Sequence, residues 1–107
     1  MSLETVASVA QAVNDARRRK VTAHVIDDVH DKTSALAATA AALSFPDHFG
    51  GNLDALYDML TDLSWLPGDH VLIWAHPQAI QDWPAIAATL ADAVAHNPRL
   101  RAQVVQD

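Results

Sequence analysis

The run His70–Ala75, HVLIWA, is apolar almost without a break. Pro67-Gly68-Asp69 before it is a turn signal, and Pro77 after it ends the run. A short apolar run between such breakers fits a strand buried on both faces, which is the habit of a parallel sheet covered by helices. Two further segments fit the same sheet. Val21–Ile26, VTAHVI, is short and rich in β-branched residues, and in Leu100–Val105 the apolar Leu100, Ala102 and Val104 alternate with Arg101 and Gln103.

The intervening segments have helical spacing. Leu3, Val6, Val9, Ala10 and Val13 predict an amphipathic helix over residues 3–18, ending in the cationic Arg17-Arg18-Arg19-Lys20 that suits a helix C-terminus. Thr33 or Ser34 is expected to cap a second helix running to about Leu43, with Leu36, Ala40 and Leu43 as its apolar stripe. Ser44-Phe45-Pro46 stops it. Pro84 suits the first turn of a later helix that reaches about Ala95, with Ile86, Leu90 and Val94 facing inward. The order is α, β, α, α, β, α, β. Each strand is separated from the next by a helical crossover, so the expected fold is α/β, a small three-stranded parallel sheet packed with helices.

The chain has 107 residues, half of them apolar, enough for one compact domain with a single core. It has no cysteine, which removes disulfide and CxxC readings. No stretch approaches the ~20 apolar residues of a membrane span. The first twenty residues carry acid early and base late, the reverse of a secretory signal, so a cytoplasmic protein is expected. The net charge of −6 is unevenly spread. All seven Lys and Arg lie outside Thr33–Asn97, whereas Asp47, Asp54, Asp58, Asp62, Asp69, Asp82 and Asp92 lie inside it. A surface of one sign repels nucleic acid and attracts basic partners. The basic cluster at 17–20 would have to act against that field to bind nucleic acid. Asp27, Asp28, His30 and Asp31 lack a recognised ligand spacing, so no metal is expected.

The segment Phe45–Leu63, FPDHFGGNLDALYDMLTDL, holds the most unusual pattern. Gly50-Gly51 permits a tight turn and Asn52 is a good N-cap, predicting a helix from Leu53 to about Leu63. At about 100° per residue, Leu53, Leu56, Leu60 and Leu63 lie along one side and Asp54, Asp58 and Asp62 along another. Tyr57 falls at the border, and Thr61 beside the aspartates. Asp54 is favourable at the helix N-terminus, but Asp62 has the wrong sign at the other end. Each i,i+4 pair of like charges costs a few tenths of a kcal/mol. The stripe therefore does not stabilise the helix. It is either a solvated, screened surface or an anionic face for a cationic partner, with Tyr57 as an aromatic anchor.

The same segment resembles the signature of the barstar family, roughly P-x-Y-Y-G-x-N-L-D-A-L-W-D-x-L-T. Pro46, Gly50, Asn52, Leu53, Asp54, Ala55, Leu56, Asp58, Leu60 and Thr61 match it in register. The order of elements from Val21 onwards also fits. The resemblance implies a barstar-like domain over 21–107 with residues 1–20 as an added helical extension. It further implies an intracellular inhibitor that plugs the cationic active site of a microbial ribonuclease with an acidic helix and the loop before it. The partner-binding residues would be His48, Phe49, Gly50, Asn52, Asp54, Tyr57, Asp58, Thr61 and Asp62, with Asp92 as the third acid that the family carries on the next helix. The chain departs from the signature at His48 and Phe49, where two tyrosines are usual, and at Tyr57, where tryptophan is usual. Those departures imply a different ribonuclease, of the secreted or toxin type.

Two other classes stay open. One is an immunity or regulatory module of the same fold whose target is not a ribonuclease. The other is an enzyme using Asp and His, against which stands the lack of a nucleophile motif, a phosphate loop or a spaced metal set. The six histidines are scattered, with His24, His70 and His76 at or near strand ends, where structural roles are common. The expectation is thus a binding protein, monomeric when free, without catalytic residues, cofactor, metal, nucleic acid or membrane.

Overall fold

A computed structural model describes residues 3–47 and 49–106. The elements run β1 (Glu4–Val6), α1 (Val9–Arg18), β2 (Thr22–Ile26), α2 (Lys32–Ala42), α3 (Leu53–Asp62), β3 (His70–Trp74), α4 (Gln78–Gln81), α5 (Pro84–His96) and β4 (Leu100–Val105). The sheet is wholly parallel, in the order β1-β4-β3-β2. Among the described residues it has four strands, not the expected three. The extra strand comes from the segment whose spacing predicted the start of a helix. Glu4–Val6 instead pairs with Gln103–Val105, and Glu4 bonds both Arg101 and Gln103 on the neighbouring strand. Leu3 and Val6 then serve opposite faces of the sheet, Leu3 packing on one core and Val6 on the other. Pairing with a distant edge overrides the local period. The helix starts only at Val9, capped by Ser8, whose hydroxyl accepts the Gln11 N–H.

The sheet divides the interior in two. On one side α2, α3 and α5 bring Leu36, Leu56, Leu60, Ile86 and Leu90 onto Ile26, Leu72, Trp74 and Leu100. On the other, α1 lays Ala12 and Ala16 on Val71 and Ile73. All five residues of β3 are buried, as expected of a strand covered on both faces. The small residues of α1 let its backbone approach the sheet closely.

The α2 cap is Asp31, not Thr33 or Ser34. Its carboxylate accepts the Ser34 N–H at 2.8 Å and the Ser34 hydroxyl reaches back to the Asp31 N–H, a reciprocal capping box. That hydrogen bonding holds the Asp31 carboxyl below the usual carboxylate range, the Ser34 backbone contributing most. At α5, Pro84 stands in the first turn as expected. Among the described residues, no helix is long and apolar enough to cross a membrane, and no group of three or more His, Asp or Glu is placed to hold a metal.

Candidate functional site

Helix α3 is fixed at both ends. At its start Asn52 caps it, the side-chain oxygen accepting the Ala55 N–H at 2.8 Å. The turn before it needs glycine at one position only. Gly51 has φ +71°, in the left-handed region, whereas Gly50 does not. A Cβ on Gly50 would meet Ala55 and the Asn52 side chain at 3.7 Å, an ordinary contact. The approach loop is held by aromatic rings. Phe49 meets Phe45 edge-on at 4.9 Å, and Phe45 meets Trp65 at 5.9 Å. Trp65 in turn donates its indole N–H to the Leu43 carbonyl at the end of α2. The segments before and after α3 are thereby tied together.

The C-terminus of α3 is held by two side chains from the α5–β4 connection. The buried Asn97 amide donates to the Leu60 carbonyl at 2.8 Å. Arg99 donates to three carbonyls, those of Leu63, Leu66 and Gly68. These bonds satisfy carbonyls that a helix end and its exit loop leave open, and they bring a cation to the negative end of the helix dipole. Leu63 itself ends α3 in the left-handed conformation, with φ 47°. Spacing within the α3 segment carries no sign of Asn97 or Arg99, which lie more than thirty residues away.

Between these anchors the helix presents the two faces that its sequence predicts. Leu56 and Leu60 are fully buried, as is Leu63 just beyond them, and Leu53 is half-buried against the same core. Asp54, Asp58 and Asp62 are exposed. Among the described residues, no Lys, Arg or His lies within ion-pairing distance of any of the three. The four cations at 17–20 are outside this face; Arg18 and Arg19 both pair with Asp15 on α1. Arg101 pairs with Glu4.

The other expected contact residues take different positions. Tyr57 is half-buried and its ring meets His96 of α5 edge-on. Asp92 is exposed on α5, one turn before His96, and its carbonyl accepts the His96 Nδ1–H. α5 packs along α3, so Tyr57 and His96 link Asp92's helix to the acidic one. Thr61 turns its hydroxyl back to the Tyr57 and Asp58 carbonyls of its own helix. Asn52 and Thr61 thus already have structural partners. His48 lies outside the described residues. Of the expected contact residues, Asp54, Asp58 and Asp62 are exposed on α3 and Asp92 on the neighbouring α5, and the Tyr57 and His96 rings meet between the two helices.

Residues 19–105 match the family model described as Barstar (barnase inhibitor). No individually curated protein matches the chain. β1 and α1 lie outside the matched span.

Proposed function

The chain belongs to the barstar family, and from that premise we propose that it inhibits a ribonuclease by inserting the acidic face of α3 into the enzyme's cationic site. One observation carries this reading: Asp54, Asp58 and Asp62 are exposed on one rigid helix with no cationic partner among the described residues. A site built to hold RNA phosphate offers Arg, Lys or His. Carboxylates on a fixed helix occupy such a site and present no bond to cleave. Fixing the helix at both ends means that little ordering entropy is lost on binding. Opposite fields also speed the encounter.

In this reading Asp54 and Asp58 pair with the enzyme's central cations, while Asp62 and Asp92 extend the field to either side. Tyr57 and Phe49 are the apolar contacts, with His48, Gly50, Asn52 and Thr61 at the rim. The protein acts as a monomer, in the cytoplasm, against a secreted or toxin-type ribonuclease, as an immunity factor without chemistry of its own. Residues 1–18, which add β1 to the sheet edge and α1 to one face, are an addition to the family's domain.

The test is a titration of the protein into small, secreted, guanyl-preferring bacterial ribonucleases, following RNA cleavage. A sharp 1:1 endpoint is expected, with inhibition weakening as ionic strength rises. Full cleavage across the panel at equimolar protein would refute the reading.

A further inference from the structure

Tyr57 stands where two helices meet at the edge of the acidic face. Its ring and that of His96 are 6.2 Å apart between centroids, at 71° to one another. His96 is the last residue of α5 and is exposed. Its Nδ1 lies 2.8 Å from the Asp92 carbonyl oxygen. A carbonyl only accepts, so Nδ1 carries the hydrogen, and a neutral ring keeps its lone pair on Nε2. The hydrogen bond thus fixes the tautomer. Neutral His96 adds an acceptor to a surface otherwise made of carboxylates and a phenol. Once protonated, the same nitrogen becomes a donor carrying positive charge.

We infer that His96 is a partner-selecting residue of the acidic face: its unprotonated Nε2 accepts from a donor on the ribonuclease, and a proton there turns it into a cation that repels the enzyme's own. This rests on the inhibitor reading above and adds to it a condition for release. The titratable and charged groups around the ring are few. Asp92 lies one turn back on α5, α3 contributes Tyr57 with Asp54, Asp58 and Asp62 on the same helix, and Arg99 follows three residues later. The Arg99 guanidinium is engaged with the carbonyls beyond α3. Among the described residues, no carboxylate is ion-paired with His96. In the complex the aspartates face the enzyme's cations, so a proton on His96 has no counter-charge.

The tautomer is tested first, on the free protein at about pH 8, by nitrogen-detected NMR of the imidazole. Hydrogen on Nδ1 is expected; hydrogen on Nε2 overturns the inference. The inhibition constant is then measured at about pH 8 and about pH 5.5. Wild type is compared with His96→Gln and His96→Glu, with circular dichroism confirming the fold at both pH values. Wild type should lose roughly tenfold more affinity on acidification than His96→Gln, and His96→Glu should lose no more than His96→Gln. The enzyme's own titration is common to all three, so the ratios isolate position 96. Equal losses in all three overturn the role of His96 while the inhibitor reading stands. No inhibition by any variant at about pH 8 overturns both.

Discussion

The residues of α3 fall into those that hold it and those that it shows, and substitutions separate the two. Leu56 is fully buried beneath the sheet-facing side of the helix. Leu56→Ala should lower stability by about 2–5 kcal/mol, read as a shift in chemical denaturation. Asp58 is exposed and accepts no cation within the described chain. Asp58→Asn should leave the melting temperature unchanged and weaken inhibition by about 3–5 kcal/mol, the effect of leaving a buried enzyme cation unpaired. Retained inhibition by the folded variant would remove Asp58 from the interface. The adjacent glycines divide in the same way. Gly51→Ala forces an alanine to φ +71° and should cost about 1–2 kcal/mol of stability. Gly50→Ala meets only ordinary contacts and should not change stability. Any loss of inhibition it causes would then report the close approach of a partner.

Among the elements, α3 was legible in the sequence because its signals are local. The cap at Asn52, the leucine stripe and the aspartate stripe all sit within one short window, and each lies where the spacing puts it. Elements decided by distant partners were not legible. Leu3 and Val6 fit a helical period as well as they fit a strand, and only the edge of β4 decides between them. At α2, Thr33 and Ser34 are good caps by residue type, yet Asp31 takes the position because Ser34 sits at the third helical residue, where it closes the reciprocal box. Arg99 and Asn97 were invisible for the same reason as β1: their targets are carbonyls of another element. Asn97→Ala should therefore behave as an α3 substitution. It removes a buried donor from the Leu60 carbonyl and should cost about 1–3 kcal/mol. Hydrogen exchange should quicken in the last turn of α3 ahead of other helices; uniform quickening would mean that Asn97 supports the fold generally.

For the whole molecule, the sheet's two faces and two edges set the response to acid and to truncation. His24 in the middle of β2 and His70 at the amino end of β3 form a chain, with His24 Nε2 3.0 Å from His70 Nδ1 and His70 Nε2 3.0 Å from the Pro67 carbonyl. That carbonyl requires the hydrogen on His70 Nε2, so His24 is the donor to His70. Burial, and then the neighbouring His70, lower the His24 pKa from 6.5. The unfolded chain takes up a proton on His24 as pH falls through that value, while the folded chain resists it. This contribution to stability is complete above the ordinary histidine range and declines on acidification. Stability measured by denaturant should fall from about pH 7.5 to about pH 5.5, and less steeply in His24→Gln; parallel curves would show that the pair does not govern acid sensitivity. Removing residues 1–18 would bare Val71 and Ile73 and open the edge of β4. The shortened chain should be less stable and should self-associate in sedimentation, since an open edge beside an apolar face invites pairing. A stable monomer would show that α1 and β1 are dispensable cover. The place of β1 also has a consequence in time. Its partner, β4, lies 99 residues further along, so Glu4 must await Gln103. On a ribosome making chain from the amino end, β1 emerges well before its partner and can take its place only after β4 has followed it out.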